Sequence, residues 1–340
     1  MKSFIGSKDQ PTRVLYVIPG TPSGSDMIFA QKQIAHFKRV GLETRTFMLE
    51  VSTNLRKVWS QVRAQRRLVL VYRPSIVHAH YGSLTGFICA LVSFVSRVPL
   101  VITFRGSDLN PSPSDGVLRS AAQKLLSRLA ALGACGIICV SRRLRDKLWW
   151  GRGKAVVIPS GVDMKIFQVI PRQEARKRLG WGDEERIVLF NAGRTPVVKR
   201  LDLAEASVAS MRELIGEVRL VVLYGDTPHD EMPFYLSGAD CVLITSDYEG
   251  SPDIVKEALA CGLPIVSVDV GDIAERLDGV HPSRIVACDA RAIGSAAAEI
   301  VLSGQRSNGR DAIRNLSATA VRDKILEVYR RVLGGARYGN

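Results

Sequence analysis

Two glutamates that lie eight residues apart, Glu249 and Glu257, mark the part of the chain most suggestive of chemistry. Between them, Ser251 and Pro252 predict a helix that begins at Pro252 with Ser251 as its N-cap. The free N–H groups at such a helix start point toward Gly250 and Glu249 and favour phosphate binding. Eight helical residues span roughly 12 Å, comparable to the reach of a nucleoside diphosphate from its ribose to a sugar beyond the second phosphate. The spacing therefore predicts one carboxylate at each end of a bound nucleotide-diphosphate sugar.

Two cations follow a predicted strand at residues 186–192. Gly193 ends the strand, and Arg194 and Lys199 lie in the loop that enters the next helix. Two cations at a strand exit neutralise the charge of a departing diphosphate without a metal ion. The segment therefore predicts a diphosphate site, and a pair of solvated surface cations is the alternative interpretation.

A glycine turn and a pair of histidines are further candidates. The turn runs from Gly20 to Gly24 after the first predicted strand, where glycine also serves simple packing. His78 and His80 are two residues apart at a strand end and therefore face the same side. We interpret His78 as structural and His80 as the candidate site residue.

Several other chemistries lack their motifs in this chain. No Gly-x-Ser-x-Gly elbow, Walker-type Gly-Lys-Ser/Thr or His-Glu-x-x-His helix occurs. Cys135 and Cys139 have no second pair at ligand spacing and are interpreted as buried thiols. The sequence thus predicts no metal and no resident cofactor. Six cysteines without a paired framework, and no secretory signal, predict a cytoplasmic protein.

The net charge of +14 calls for an anionic partner: nucleic acid, an anionic membrane surface or a phosphorylated substrate. Tryptophans among arginines favour the water–lipid interface, although a solvated helix face explains the charge equally well. The two basic clusters are Arg56, Lys57, Trp59, Arg63, Arg66, Arg67 and Arg73, and Arg142, Arg143, Arg145, Lys147, Trp149, Trp150, Arg152 and Lys154.

The apolar run from Leu84 to Phe104 is long enough to suggest a membrane span, which we reject. Arg97 and Pro99 divide it into a helix (85–96) and a β-branched strand (100–104), as in a buried parallel sheet. The same alternation runs through the chain and predicts an α/β protein of two Rossmann-like, doubly wound domains. We place the first domain at residues 1–165 and the second at 166–317. A final helix in 318–340 is expected to cross back to the first domain.

The residues just described resemble those of the retaining nucleotide-sugar glycosyltransferases of family 4, which have the GT-B fold. The resemblance covers almost the whole chain and is most specific in its last block. It rests on the segments Val157–Asp163, Ala192–Arg194 with Lys199, Gly238–Asp240, and Glu249–Gly262 with Pro264. It implies two Rossmann-like domains facing a central cleft, an acceptor-binding first domain and a donor-binding second domain.

The resemblance also implies roles for individual residues. Arg194 and Lys199 would bind the donor diphosphate, Glu257 the ribose hydroxyls and Glu249 the transferred sugar, so that Glu249, Arg194 and Lys199 form the catalytic set. Backbone groups near Ser251–Ile254 would complete the phosphate site. The further donor-binding residues are Gly193, Gly250, Pro252, Asp253, Ile254 and, across the cleft, Gly24.

Three features depart from the family pattern. Arg105 occupies the position where many relatives have a histidine near the transferred sugar. Together with Asp108 and His80 it is assigned to the acceptor side. Ser160 replaces a usual asparagine. The segment 225–235 is short, because relatives usually insert a helix and a strand there that help to hold the nucleobase.

We therefore predict a retaining, metal-independent hexosyltransferase that builds cell-surface polysaccharide or glycolipid. Its expected partners are a nucleotide-diphosphate sugar, a glycan or lipid-linked acceptor and the anionic inner face of the plasma membrane, but not nucleic acid. The alternatives are a GT-B protein of other activity, either a sugar-nucleotide epimerase or an inactive subunit, and a basic nucleic-acid-binding protein. A nicotinamide-dependent oxidoreductase is disfavoured, because Gly20 and Gly24 do not form Gly-x-Gly-x-x-Gly.

Overall fold

A computed structural model describes residues 12–21, 28–52, 54–110 and 116–335. The chain divides into two compact units, between Pro159 and Ser160 and again between Ala318 and Thr319. Unit 1 contains the chain up to Pro159 together with the C-terminal segment, and unit 2 contains Ser160–Ala318. The first division lies a few residues before the predicted boundary at 165.

Each unit contains one parallel β-sheet. The sheet of unit 1 has the order β2-β1-β3-β4-β5-β6 and that of unit 2 the order β11-β10-β9-β7-β8. The strands are β1 Arg13–Pro19, β2 Glu43–Leu49, β3 Ile76–His80, β4 Leu100–Phe104, β5 Gly136–Cys139, β6 Ala155–Val157, β7 Ile187–Asn191, β8 Arg219–Leu223, β9 Cys241–Ile244, β10 Ile265–Ser267 and β11 Arg284–Ile285.

Helices connect these strands. They are α1 Ile28–Lys38, α2 Leu55–Tyr72, α3 Ser83–Ser96, α4 Val117–Gly133, α5 Arg142–Asp146, α6 Arg172–Leu179, α7 Pro196–Lys199, α8 Leu201–Ile215, α9 Met232–Gly238, α10 Asp253–Ala260, α11 Ile273–Leu277, α12 Ala290–Ser303, α13 Gly309–Ala312 and α14 Ala318–Gly335. Short 3-10 turns occupy Arg152–Lys154 and Arg314–Leu316. Within the described ranges, no helix combines the length and the apolar character that crossing a membrane requires.

The sheet of unit 1 has a helix layer on each face. Alternate residues of a strand point to opposite faces, so that Leu15 and Val17 pack with α2–α5 while Val14 and Tyr16 pack with α1 and α14. Tyr329 of α14 is fully buried in the second of these cores. The C-terminal helix therefore belongs to unit 1 by its packing.

The run from Leu84 to Phe104 folds as predicted, as part of a helix and a strand. Arg97 ends α3 in the left-handed region at φ 54°, and β4 begins at Leu100. All five residues of β4 are buried, as expected for a central strand of a sheet covered on both faces.

Unit 2 has a single core in which α8 and α12 pack beside the sheet. β8 is an edge strand, and residues 224–231 alone connect it to α9. α9 then leads to β9, which pairs with β7 on the other side. The short segment predicted at 225–235 is thus accommodated by ending the sheet at β8.

Candidate active site

The predicted donor residues of unit 2 lie at one edge of its sheet. Arg194 and Lys199 follow β7, Glu249 follows β9, and α10 starts after Glu249. β7 and β9 are neighbours and run parallel, so their carboxyl ends meet at the same edge. This edge is where ligands bind in open parallel α/β sheets.

Lys199 and Glu249 form an ion pair at this edge. The Lys199 Nζ atom contacts Glu249 Oε1, and both side chains are mostly buried. Ser246 Oγ donates a second hydrogen bond to the same oxygen at 2.9 Å. Thr245 Oγ1 donates to the carbonyl oxygen of Lys199 at 2.8 Å and so ties α7 to the end of β9. A fixed cation and a fixed carboxylate thereby lie side by side.

Glu257 lies on α10 and has a side-chain partner that the sequence did not predict. Its Oε1 atom is 3.5 Å from Nε2 of His229, which belongs to the short segment after β8. The His229 ring also meets Phe167 edge to face, with centroids 4.9 Å apart. No local pattern around His229 signals this role, because the contact joins residues 28 positions apart in the chain.

Arg194 and Gly193 form a turn at the end of β7. Gly193 has φ +52° and its N–H donates to the carbonyl of Leu223 at 3.0 Å. Gly225 lies against this turn: a Cβ there would be 3.5 Å from Gly193 Cα and 3.9 Å from Arg194 Cγ. Arg194 is exposed, which leaves its guanidinium accessible at the sheet edge.

The predicted cap of α10 is wrong in detail. The helix begins at Asp253, with Pro252 as the N-cap residue in extended conformation, and no described side chain caps it. Ser251 does not cap because its Oγ accepts from Lys256 Nζ and donates to Asp272 Oδ2, both at 2.9 Å. Gly250, Pro252 and Ile254 are buried, and the first N–H groups of the helix lack side-chain acceptors from the described residues.

The buried side chain of Lys256 holds the turn at Ser251, which precedes α10. Its side chain is 1% exposed, and Nζ donates to the Ser251 carbonyl at 2.9 Å and lies 3.1 Å from Asp253 Oδ1. Asp272 is almost as buried and lies 3.3 Å from Arg276 Nε. Burial raises the pKa of the Asp272 carboxyl, and the charges of Lys256 and Arg276 oppose that rise. A buried ionic network therefore supports the Ser251 turn.

Gly271, in the loop after β10, packs closely against Glu249. Its φ is +61°, and an added Cβ would be 2.9 Å from Glu249 Cβ. We expect Gly271→Ala to lower the free energy of unfolding by about 1–2 kcal/mol from backbone strain and also to reduce donor turnover by displacing Glu249. Gly279→Ala is the matched control, because φ there is +71° and nothing lies within 4 Å. Equal activity of the two variants, measured by steady-state kinetics, would contradict this role of Gly271.

The predicted acceptor-side residues of unit 1 come together at the carboxyl ends of β3 and β4. Arg105 donates to His80 Nδ1 through Nε at 3.2 Å and to Gln33 through Nη2 at 2.9 Å. Asp108 is buried and accepts from the N–H groups of Gly82 and Gly106 at 3.0 and 2.9 Å. Burial raises the pKa of Asp108, and these backbone hydrogen bonds oppose the rise.

His80 is neutral and fully buried in this arrangement. Burial and the Arg105 charge hold its pKa well below the ordinary value. Because Arg105 donates to Nδ1, the ring proton lies on Nε2, which has no hydrogen-bond partner among the described residues.

His78 is structural, as its sequence context indicated. Its Nδ1 atom is 2.5 Å from the hydroxyl of Tyr329 and its Nε2 atom 2.7 Å from Thr103 Oγ1. Burial lowers its pKa to about 3. Tyr16 completes the network through a 2.9 Å contact with the Tyr329 hydroxyl, which joins β1 and β3 to α14.

The remaining predictions concern Gly24, metals and cysteines. Gly24 lies outside the described residues. Among the residues that are described, no group of three or more His, Cys, Asp or Glu side chains is placed to hold a metal ion. All six cysteines are free thiols; Cys139 is buried as predicted, whereas Cys135 is exposed, so the prediction of a buried thiol is wrong there. A surface depression of about 930 Å³, lined by residues such as Arg186 and Arg219, lies at the opposite, amino end of β7 and β8.

Two family models match the chain. Residues 13–165 match the family model described as Glycosyltransferase Family 4, and residues 176–303 match Glycosyl transferases group 1. TuaC of Bacillus subtilis, named as a glycosyltransferase of teichuronic acid biosynthesis, is 28% identical over 230 residues. The alignment covers 63% of this chain and 57% of TuaC, so the chain spans little more than half of that relative's length.

Solved structures show the same architecture. Sucrose-phosphate synthase from Thermosynechococcus elongatus has a TM-score of 0.78 at 18% identity, with 95% of this chain and 100% of that chain covered. HepE of Anabaena, solved with UDP and glucose, has a TM-score of 0.71 at 15% identity, with coverages of 93% and 98%. These similarities, together with the two parallel-sheet units, confirm the predicted GT-B fold class.

Proposed function

The chain belongs to glycosyltransferase family 4, and on that premise we propose that it transfers a sugar from a nucleotide-diphosphate sugar to an acceptor hydroxyl. The observation that supports this most directly is the Lys199–Glu249 ion pair beside the start of α10. Cation, carboxylate and free helix N–H groups occupy one sheet edge within unit 2. This combination suits a diphosphate joined to a sugar.

We assign the donor contacts by position. The diphosphate binds the N–H groups at the start of α10 and the side chains of Arg194 and Lys199. The helix start carries partial positive charge, and the two side chains are cations at the same sheet edge. Glu249 accepts hydrogen bonds from hydroxyls of the transferred sugar, held in place by Lys199. Glu257 binds the ribose hydroxyls, and His229 beside it closes that end of the site.

The proposed mechanism lowers the barrier by electrostatics. Negative charge that develops on the leaving diphosphate meets Arg194, Lys199 and the positive end of α10, which are fixed before the reaction begins. Attack on the face from which the diphosphate departs retains the anomeric configuration. The leaving phosphate then takes the acceptor proton, so no protein base is needed. We propose that these cations act without a metal ion.

For the acceptor we propose a glycan or lipid-linked glycan in the synthesis of cell-surface polysaccharide. The name of TuaC supports that class of product. His80, Arg105 and Asp108 in unit 1 are the proposed acceptor-side residues, since Arg105 holds both His80 and Gln33. We also propose a cytoplasmic location, which is consistent with six free thiols.

A donor screen tests the proposal. Uridine, guanosine and adenosine diphosphates and their common sugar conjugates are added in a thermal-shift assay, where a ligand at 100 times its Kd stabilises by about 2.7 kcal/mol. The stabilising donor is then incubated with a lipid-linked glycan acceptor. Transfer with a retained anomeric bond supports the proposal. Sugar isomerisation without an acceptor would indicate an epimerase instead, and binding of no nucleotide would overturn the donor site.

Glu257→Gln is expected to raise the KM for the donor by about 10- to 100-fold, because a hydrogen bond to a charged group contributes about 1.5–3 kcal/mol. The kcat should change far less, since the ribose contacts are the same in substrate and transition state. Glu299→Gln is the matched control, because Glu299 lies on the surface of α12, where it pairs with the exposed Arg284. A fall in kcat with an unchanged KM would contradict the assignment.

A further inference from the structure

Exposed apolar side chains are concentrated on one helix layer of unit 1. Among the described residues, most of the large hydrophobic side chains that face solvent lie before Pro159. Those on or beside α2–α5 are Leu55, Trp59, Leu70, Val71, Leu91, Phe94, Val95, Leu118, Leu125, Leu132, Trp149 and Trp150. Because α2–α5 cover the same face of the sheet, we call their outer surface the α2–α5 face.

α2 shows the amphipathic pattern behind this surface. Its buried residues Gln65, Val69 and Tyr72 face the core of unit 1. A different side of α2 is exposed to solvent. It carries four residues at helical spacing: Trp59, Arg63, Arg66 and Leu70. A single stripe of this helix therefore presents apolar and cationic side chains together.

α3 and α4 continue the apolar part of the surface. Leu91, Phe94 and Val95 of α3 are 47%, 84% and 61% exposed. Leu118, Leu125 and Leu132 of α4 are seven residues apart, which places them on one side of that helix. α3 packs against both α2 and α4, so the three stripes belong to one continuous layer. Contiguous exposed apolar surface of this kind marks an interaction site.

Charge decides what kind of partner fits the α2–α5 face. Residues 55–97 contain seven Lys or Arg and no acid, and residues 116–154 contain nine Lys or Arg with Asp146 as the single acid. A second copy of this chain would bring cations against cations. Nucleic acid would match the charge but not the exposed Leu, Val and Phe side chains. An anionic bilayer satisfies both, because apolar side chains enter the acyl boundary while cations meet the headgroups.

We propose that the α2–α5 face is a docking surface for an anionic lipid bilayer. Trp149 and Trp150 lie at its α5 end, 59% and 42% exposed, beside the basic residues of that segment. The Arg128 guanidinium lies 3.6 Å from the Trp149 ring centroid, which holds the indole on the surface. Tryptophan beside cations is typical of the headgroup level of a membrane. The inference concerns unit 1 and does not depend on the donor site.

Vesicle co-sedimentation of the full chain tests this proposal. We expect binding to vesicles of phosphatidylcholine with 30% phosphatidylglycerol, weaker binding as salt rises, and little binding to phosphatidylcholine alone. Phe94→Ser/Leu118→Ser should weaken binding at least about tenfold, because each side chain loses buried apolar area. Arg63→Glu/Arg67→Glu should weaken it by about tenfold or more, since each cation near an anionic surface contributes to attraction.

Matched variants on unit 2 provide the control. Leu214→Ser/Leu302→Ser removes apolar side chains that are 58% and 60% exposed, and Arg291→Glu inverts a surface charge on α12. These should bind vesicles as the wild type does, and equal melting temperatures show that all variants are folded. Binding lost equally in both sets would overturn the proposal. So would no binding at low salt, or a dimer in sedimentation velocity that Phe94→Ser/Leu118→Ser abolishes while vesicle binding is absent.

Discussion

Lys199→Met is expected to lower kcat for sugar transfer by about 100- to 1000-fold, the loss typical of removing one preorganised electrostatic contact to a transition state. In the proposed mechanism the ammonium of Lys199 neutralises charge that grows as the diphosphate departs, so its loss should affect kcat more than the donor KM. It also holds Glu249, whose Oε1 atom it contacts. Steady-state kinetics with the donor identified by thermal shift measures both constants.

The adjacent cation supplies the control for Lys199. Arg200→Met removes the same charge one residue later, but Arg200 pairs with Asp202 and Asp247 on the surface. Its activity should stay near that of the wild type. In a double-mutant cycle, Lys199→Met and Glu249→Gln should be strongly non-additive, because the two side chains touch. Additive losses, or an Arg200→Met variant as slow as Lys199→Met, would contradict the proposed pair.

Lys256→Met is expected to lower the free energy of unfolding by about 1.5–3 kcal/mol, because the partly buried Ser251 carbonyl loses a hydrogen bond from a charged donor. Its ammonium offsets the charge of buried Asp272 together with Arg276, and it donates to the Ser251 carbonyl. Without it the turn before α10 loses its anchor, and the donor KM should rise as well. Urea unfolding measures the stability, and hydrogen exchange of residues 250–260 reports the turn.

Lys177→Met is the matched control for Lys256, because Lys177 is exposed on α6. Surface substitutions of this kind usually change stability by less than about 0.5 kcal/mol. Lys256→Met/Asp272→Asn should lose less stability than the two single changes together, since the second change removes a buried carboxylate that has lost one of its two compensating cations. If Lys256→Met were as stable as Lys177→Met with unchanged exchange, Lys256 would have no role in holding the turn.

The alternation of strands and helices could be predicted from the sequence because central parallel strands are continuous apolar runs. Leu100–Phe104 has the bounds that were expected, and the strand Ile76–His80 ends at His80, consistent with the predicted strand end there. β2 was not predicted, because it is an edge strand whose pattern Glu-Thr-Arg-Thr-Phe-Met-Leu is half exposed and polar. Edge strands lack the two buried faces that produce a clear signal.

The proposed donor residues were predicted from local motifs, but their side-chain partners were not. Arg194 and Lys199 follow a predicted strand, Glu249 precedes a predicted helix, and Glu257 lies within that helix. The cap of α10 was misplaced by one residue because Ser251 binds Lys256 and Asp272 instead of the helix. Tertiary side-chain contacts compete with local capping for the same hydroxyl. Sequence spacing does not show which of the two hydrogen bonds forms.

From the sequence alone, the order of most elements, the sheet edge of the proposed site and the residue types at that edge could be predicted. These follow from hydrophobic periodicity and turn chemistry, which act over a few residues. Only the tertiary structure decided that Lys199 pairs with Glu249, that His229 meets Glu257 and that α2–α5 share one exposed face. Those outcomes depend on which strands become neighbours, because sheet pairing brings distant residues within hydrogen-bond reach.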